Sequence, residues 1–270
     1  MREPSPHPAS RTAAGENFPV ASRLLRRDVR PTVLACYRLA RAADDVADDP
    51  LLDADAKLAE LDRVDLAMAD DLVGRTVRAL LPAFRADAAE VAWPSWPALI
   101  EGYCQSSAAP IARFLLELHG EERAATKPAE ALAMAMQVLN HIQDAGDDWR
   151  RLKRSYLPAD WCAVAGATPA MLGAATTPHP VRLVFDRMLA GTADLLTDAA
   201  PLPRLIRDPG LRAQAAATRW LGWALHHRLT HHDPLAERVG LSPLDKVTAG
   251  ITGIVAGGPG VWLRLVGWAR

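Results

Sequence analysis

Two pairs of acidic residues in this 270-residue chain have a spacing that could bind a divalent cation. Asp44 and Asp48, the first acidic pair, lie four residues apart in RAADDVADDP; Asp144 and Asp148, the second acidic pair, repeat that spacing in QVLNHIQDAGDDWRR. Residues four apart share one face of a helix, where like charges destabilise it unless something neutralises them. Carboxylate oxygens suit Mg²⁺, which is normally bound through a few carboxylates together with substrate phosphates. The two pairs therefore predict a diphosphate that Mg²⁺ bridges between two helices.

Other polar groups share the faces of the two acidic pairs. Either pair alone is most simply a solvated helix face, but amide, aromatic and basic groups beside both pairs favour a site. A basic cluster that follows the second pair could hold the remaining diphosphate oxygens, or could be a surface cluster near a helix C-terminus, where cations are favoured. The first pair is accompanied by Tyr37 and Arg41, the second by Gln137 and by Asn140 or His141, and the basic cluster is Arg150, Arg151, Lys153 and Arg154.

The elements that must position these residues have the pattern of helices throughout. Ala and Leu dominate, and no segment shows a sustained alternation of apolar and polar residues. Half of the residues are hydrophobic, which is enough for a sizeable core. We therefore predict one all-α domain over residues 16–256, between a disordered N-terminal tail (1–15) and an apolar C-terminal tail (257–270). The predicted helices span residues 18–27, 31–49, 54–72, 73–92, 95–119, 127–151, 180–199, 208–231 and 242–256.

Composition excludes several other classes of protein. The formal net charge of −1 argues against a nucleic-acid binder, which usually carries a basic excess. Three widely spaced cysteines rule out a disulfide framework and fit a reducing cytoplasm. No glycine-rich phosphate loop is present. The C-terminal tail, with Trp262 and Trp268, is interrupted by glycine and proline, so we expect it to pack on the core or contact a membrane surface rather than span a bilayer.

The motifs as a set resemble the head-to-head prenyl synthases of the squalene and phytoene synthase type. The family's DxxxD pairs map onto the two acidic pairs, and the resemblance covers roughly residues 15–250. Within the family the set is similar to the branch that forms hydroxysqualene in bacterial hopanoid biosynthesis. The resemblance implies an isoprenoid-synthase-type helical bundle around a central active-site cavity, with Mg²⁺ as cofactor. The segments that carry it, besides the acidic motifs, are ENFPVASRLL (16–25), YCQSSAAPIARFLLELHGE (103–121) and NHIQDAGDDWRRLKRSYLP (140–158).

The resemblance further implies presqualene diphosphate as substrate, hydroxysqualene as product and a separate presqualene diphosphate synthase as partner. Mg²⁺ held by the two acidic pairs would neutralise the leaving diphosphate. An apolar tunnel would shield the resulting cation until one water captures it. Ordinary core packing is the alternative role for each aromatic residue, and a core or capping role for each amide. The implied catalytic groups are Asp44, Asp48, Asp144, Asp148, Tyr37 and Asn140; the diphosphate groups are Arg41, Lys153, Arg154 and Tyr156; the cation-facing aromatics are Phe18, Tyr37, Tyr103 and Phe114; and the water-positioning groups are Gln137, Asn140 and His141.

Three positions depart from the family pattern. Gln105 and His232 stand where the family has Tyr, and Gln143 stands where it often has Arg. The absence of the family's two Tyr residues and of its Arg favours catalysis of a single later step over the full two-step synthesis from two prenyl diphosphates. Two other functions remain open: a squalene or phytoene synthase that condenses two prenyl diphosphates, and a non-catalytic helical subunit that only binds a prenyl diphosphate. Retention of all four motif carboxylates argues against the subunit.

Overall fold

The computed structural model describes residues 24–261, and this part of the chain consists of helices and loops without a β-strand. The all-α prediction is confirmed. Besides the α-helices there are a π-helix, Ala98–Cys104, and two 3₁₀ turns, Arg123–Ala125 and Pro169–Gly173. The α-helices are α1 (Arg30–Ala47), α2 (Ala54–Ala67), α3 (Leu72–Ala88), α4 (Gln105–Ser107), α5 (Ala109–His119), α6 (Thr126–Leu152), α7 (Ala159–Ala165), α8 (His179–Asp198), α9 (Leu202–Leu205), α10 (Pro209–His231) and α11 (Pro243–Gly257).

The long helix α6 forms the centre of the fold. Its apolar residues, among them Leu132, Leu139 and Ile142, are buried in the main core, and α5, α8 and α10 pack around it. A smaller hydrophobic cluster joins α1, α2 and α3 through residues such as Leu61 and Leu81. Helix α3 also contacts α5 and the π-helix, and so connects the two clusters. The first acidic pair lies at the C-terminal end of α1, and the second lies in the last turns of α6.

Several predicted helices end earlier than the periodicity indicated. The helices predicted over 54–72 and 73–92 are separated by a loop, because Asp71 caps α3 by accepting a hydrogen bond from the Gly74 amide at 2.8 Å. Residues 24–27 of the helix predicted over 18–27 form turns and a bend, and the rest of that segment lies outside the described residues. The short helices α7 and α9 were not predicted, since each spans too few residues to show a period.

The single helix predicted over 95–119 is wrong. The chain forms a π-helix, then α4, and breaks at Ala108 before α5. Pro110 explains the break, because it has no N–H to donate and its ring crowds the preceding turn. Within the π-helix, a Cβ on Gly102 would lie 2.8 Å from the Trp93 ring, so the glycine lets Trp93 pack directly on the backbone. Such π segments are often found at functional sites, and this one carries Tyr103.

Helix α11 packs closely on α10 through a stripe of small residues. Ala249, Gly253 and Gly257 are buried, and a Cβ on Gly253 would come within 2.8 Å of the Ala213 carbonyl oxygen. None of the helices between residues 24 and 261 is both long and apolar enough to cross a bilayer. The predicted tails lie largely outside the described residues, so the domain boundaries at 15/16 and 256/257 stay predictions. The opposite face of α11 exposes an apolar stripe formed by Leu244, Val247, Ile251 and Val255.

Candidate active site

A buried carboxylate, Asp87 in the last turn of α3, organises the polar centre of the protein. Its side chain is almost wholly buried. The Tyr103 hydroxyl donates to one carboxylate oxygen and the Tyr156 hydroxyl to the other, each at 2.7 Å. The Arg154 Nε donates to the Asp87 carbonyl oxygen at 3.3 Å and lies 3.9 Å from its carboxylate. One carboxylate therefore orients two phenols and a guanidinium that come from different segments of the chain.

The ionisation of this centre follows from its burial. Burial raises the pKa of Asp87 to about 6, although Arg154 and the two tyrosine hydroxyls favour its charged form. Burial, with the nearby Asp87 charge, raises the pKa of Tyr103 and of Tyr156 well above the ordinary value. Around neutral pH the centre consequently holds an ionised carboxylate and two neutral phenols that donate to it.

Arg154 joins this centre to the first acidic pair. Its Nη1 lies 2.5 Å from Asp48 Oδ1, and its Nη2 donates to the Ala47 carbonyl oxygen at 2.8 Å. Lys153, which ends α6 in a left-handed conformation with φ of 55°, turns the chain so that Arg154 points back into the protein. Burial alone would lower the pKa of Arg154, but Asp87 and Asp48 offset it and raise the pKa above its ordinary value. The guanidinium is therefore a permanent cation between two carboxylates.

The two acidic pairs repel one another electrostatically. Burial, and next the charge of Asp48, raises the pKa of Asp44 to about 7, against the effect of Arg41, which lies 2.9 Å from it. Burial, and next the charge of Asp144, raises the pKa of Asp148 to about 7; Asp48 contributes in the same direction. Since Asp48 of the first pair shifts the pKa of Asp148 in the second, the two pairs lie close enough for their charges to interact. Additional positive charge near both pairs would relieve this repulsion.

The carboxylate oxygens of the two acidic pairs are suitable ligands for Mg²⁺. Hard carboxylate oxygens come from two helices, and both pairs carry more negative charge than Arg41 and Arg154 neutralise. Among residues 24–261, no three His, Cys, Asp or Glu side chains are placed to hold an ion without help. Mg²⁺ usually keeps several waters and uses substrate phosphate oxygens as further ligands. The residues present thus suit an ion that arrives together with a diphosphate.

Two adjoining chambers extend from the first acidic pair into the protein. The front chamber, of about 300 Å³, is lined by Arg41 and Asp44 at one end and by mostly apolar side chains elsewhere. The deep chamber, of about 200 Å³, lies between α5, α6 and α10 and is almost entirely apolar. Three of the predicted aromatic residues, Tyr37, Tyr103 and Phe114, line the front chamber. The residues that line both chambers are Ser107, Ile111, Leu115, Gln137 and Gln214.

His141 lies inside the aromatic cluster next to the polar centre. Its ring stacks on Tyr156 with centroids 3.6 Å apart, and Tyr103 lies 5.2 Å away. Burial, and secondarily Arg154, lowers the pKa of His141 to about 3, so the imidazole is neutral at physiological pH. Its Nε2 lies 3.3 Å from the Gln137 amide nitrogen, and a neutral ring can accept that hydrogen bond. His141 thereby fixes Gln137 in the wall that the two chambers share.

The structure brings most of the predicted site residues together. The polar centre around Asp87 and its immediate surroundings contain most of them: Arg41, the two acidic pairs, Tyr103, His141, Arg154 and Tyr156. The front chamber next to it is lined by Tyr37 and Gln137. Asn140 lines only the deep chamber. Lys153 is not brought to the centre; it is exposed, with Nζ 5.5 Å from the Trp149 ring. Phe18 lies outside the described residues.

Two of the departures from the family pattern have structural partners here. The Gln143 amide is buried and donates to the Val239 carbonyl oxygen, which ties α6 to the loop before α11. His232 is half exposed and lies 2.9 Å from Glu237 at the surface. Gln143 therefore supports the fold in the region where an arginine would have added charge.

Sequence reasoning missed three polar residues of this region. Asp87 follows Val77, Leu80 and Phe84 at intervals of three and four residues, so the helical period placed it on the buried face of α3. A carboxylate in that apolar series was a usable signal. Ser107 and Gln214, in the wall shared by the two chambers, had no such signal, because only the tertiary fold brings α4 and α10 to one cavity.

Comparison with known proteins agrees with this architecture. The family described as squalene/phytoene synthase matches residues 11–72 and 64–245. A hydroxysqualene synthase of Rhodopseudomonas palustris is 34% identical over 259 residues, covering 89% of this chain and 88% of the relative. One of Zymomonas mobilis is 35% identical over 244 residues, covering 83% and 82%.

Solved structures show the same fold. A squalene synthase of Alicyclobacillus acidocaldarius superposes with a TM-score of 0.63 at 26% identity, covering 77% of this chain and 85% of that one. A dehydrosqualene synthase superposes with a TM-score of 0.72 at 21% identity, covering 88% and 90%. The fold is that of the isoprenoid synthases, and the chain belongs to the squalene/phytoene synthase family.

Proposed function

We propose that this enzyme converts presqualene diphosphate to hydroxysqualene with Mg²⁺ as cofactor. The observation that carries the proposal is that two acidic pairs lie close enough for their charges to interact, and that Asp44 of the first pair lines one end of an apolar two-chamber cavity. This arrangement suits a substrate with a diphosphate head and a long hydrocarbon body. Similarity to relatives named hydroxysqualene synthase supports the same reaction.

The polar end of the cavity serves departure of the diphosphate. Mg²⁺ bound by Asp44, Asp48, Asp144 and Asp148 would neutralise the charge that develops on the leaving group. Arg41 lies beside the first pair and lines the front chamber, where it can donate to a phosphate oxygen. Arg154 directs N–H groups at Asp48, Ala47 and Asp87. We therefore assign Arg154 mainly to positioning these carboxylates.

The walls of the front chamber would stabilise and shield the carbocation that is left when the diphosphate departs. Aromatic faces stabilise a passing cation by about 0.5–2 kcal/mol each, and Tyr37, Tyr103 and Phe114 are suitably placed. A protonated histidine would repel the cation, and His141 avoids this because its pKa lies near 3. The apolar remainder of the cavity keeps bulk water away until the rearrangement is complete.

A substrate of this kind requires a supplier and a route to lipid. Presqualene diphosphate would come from a partner synthase that couples two prenyl diphosphates. The product is nearly insoluble in water, and the exposed apolar stripe of α11 offers a contact with a membrane surface. This contact would make the enzyme a peripheral membrane protein of the cytoplasm.

The test is product analysis with purified enzyme, presqualene diphosphate and Mg²⁺. We expect a thirty-carbon alcohol, with most turnover lost in Asp144→Asn and retained in the exposed control Asp147→Asn. In a parallel reaction, farnesyl diphosphate alone should give no thirty-carbon product. A thirty-carbon product from farnesyl diphosphate alone would instead support a squalene or phytoene synthase, and an effect that survives Asp144→Asn would support a binding subunit.

A further inference from the structure

We infer that Ser107 and Gln214 hold the water that captures the cation. Both residues lie in the wall shared by the front and deep chambers, one on α4 and the other on α10. The inference rests on the proposed function and deepens it, since it names the groups that decide whether the product carries a hydroxyl.

Each of these two side chains has one buried polar atom without a hydrogen-bond partner among the residues that the structure describes. Ser107 Oγ and Gln214 Oε1 are both inaccessible to bulk solvent, and neither forms a hydrogen bond within residues 24–261. Buried polar atoms in folded proteins nearly always have a partner, either from the protein or from an ordered water. Two such atoms on one cavity wall therefore indicate a site for a water molecule.

The surroundings restrict where that water can sit. Apart from the wall that it shares with the front chamber, and from Asn140 and Thr218, which line only the deep chamber, the rest of that chamber is lined by apolar side chains such as Leu132, which offer a water no hydrogen bond. Gln137, held by His141, adds a third polar group at the junction. A buried water needs two to four polar partners, and the junction offers three. The water would thus lie where the hydrocarbon body passes from one chamber to the other.

The geometry of donors and acceptors leaves the water reactive. An amide oxygen and a serine oxygen can both accept hydrogen bonds. A water that donates to Ser107 Oγ and Gln214 Oε1 keeps its lone pairs free to attack. Neither side chain carries a charge, so neither repels the cation or competes as a strong base for its protons.

The covalent steps balance without an oxidant or a reductant. The bond from carbon to the diphosphate oxygen breaks, and its electron pair leaves with the diphosphate. The cyclopropane opens as the cation rearranges, and a lone pair of the water forms the new carbon–oxygen bond. The protonated alcohol then gives its extra proton to the diphosphate released in the same turnover. Without a held water, the cation would lose a proton from carbon and leave as a thirty-carbon hydrocarbon.

The test measures the ratio of alcohol to hydrocarbon among the thirty-carbon products, formed from presqualene diphosphate and Mg²⁺ in water labelled with heavy oxygen. In the double variant Ser107→Ala/Gln214→Met we expect this ratio to fall by about tenfold or more, because both hydrogen bonds to the water are lost. Total turnover should persist, since the polar centre is untouched. Thr218→Val is the matched control: it removes a hydroxyl that lines only the deep chamber, so its ratio should equal that of the wild type.

Further variants keep the test decisive. Ser107→Thr retains a hydroxyl and should preserve the ratio, whereas Ser107→Ala and Gln214→Met should each lower it even if the double variant does not fold. An unchanged ratio in both single variants, with labelled alcohol from the wild type, would overturn the inference and leave the proposed function standing. A wild type that forms no alcohol would instead contradict the proposed function itself.

Discussion

The Arg154 guanidinium lies 2.5 Å from Asp48 Oδ1 and ties the segment after α6 to the end of α1. Only 8% of the Arg154 side chain is exposed, so the ion pair is poorly screened by solvent. The same guanidinium donates to backbone carbonyl oxygens of Ala47 and Asp87. One residue thus sets the relative positions of the two acidic helices and of the buried carboxylate between them.

Replacement of Arg154 should therefore harm both stability and activity. In Arg154→Met, the buried Asp87 and the half-buried Asp48 lose their cation, so we expect the free energy of unfolding to fall by about 3 kcal/mol. Turnover should fall by about 100-fold or more, since the acidic pairs lose their alignment. Urea unfolding and product formation measure the two effects. Arg151→Met, at an exposed position of α6, is the control; equal losses in both variants would contradict the account.

Asp87 should act through the two tyrosines that it orients. Asp87→Asn weakens both phenol contacts and the Arg154 pair, and we expect kcat to fall by about 100-fold with helix content unchanged. Adding Tyr156→Phe to Asp87→Asn should cost much less than Tyr156→Phe costs in the wild type, because the two residues act as a unit. Asp70→Asn, at an exposed position before α3, should leave kcat unaffected. Strictly additive losses would show that Asp87 and Tyr156 act independently.

The second acidic pair should lower stability when no metal is bound. The pKa of Asp148 is about 7 in the folded protein, above its ordinary value, so the folded state binds more protons than the unfolded state between about pH 4 and pH 7. Stability then falls as the pH rises through that window. Asp148→Asn removes this repulsion and should raise the free energy of unfolding at pH 8 by about 1–3 kcal/mol, while abolishing most activity.

Unfolding of the metal-free protein at several pH values measures that effect. Asp147→Asn is the matched control, because Asp147 is exposed and forms its ion pair with Arg150, three residues further along the same helix. The control should keep the wild-type pH dependence and most of its activity. A destabilised Asp148→Asn protein at pH 8 would contradict this expectation, because it would mean that the charged form of Asp148 stabilises the fold despite the repulsion from Asp144 and Asp48.

The apolar stripe of α11 should mediate binding to lipid. The double variant Val247→Asp/Val255→Asp places two charges on exposed positions and should weaken co-sedimentation with anionic liposomes several-fold. Turnover of detergent-solubilised substrate should stay near that of the wild type. Val164→Asp, at an equally exposed apolar position on α7, is the control. Unchanged liposome binding in the double variant would exclude this face as the contact.

Local sequence patterns were sufficient for the parts of the fold that depend on local physics. Helices α1, α6 and α10 were predicted to within a few residues, because apolar periodicity and flanking prolines mark their ends. The break at Ala108 was also readable in principle, since Pro110 cannot continue a helix from the preceding turn. The π-helix could not be predicted from local sequence, because it depends on the tertiary contact of Trp93 with Gly102.

The functional site likewise has features that local spacing predicts and contacts between distant residues that it does not. Spacing of four residues identified both acidic pairs, and in the structure the charge of Asp48 acts on Asp148. The contact of Arg154 with Asp48 joins residues 106 positions apart, and no local pattern specifies it. Lys153, its neighbour, was predicted together with Arg154 to bind the diphosphate. The Lys153 side chain is exposed, because the left-handed turn at Lys153 directs Arg154 rather than Lys153 inward.

The most direct test of the central claim is product analysis by gas chromatography and mass spectrometry, using purified enzyme, presqualene diphosphate and Mg²⁺ with and without NADPH. We predict a thirty-carbon alcohol in equal amounts under both conditions, and its loss when Mg²⁺ is chelated. Squalene that forms only when NADPH is present, with no alcohol in either reaction, would contradict this prediction.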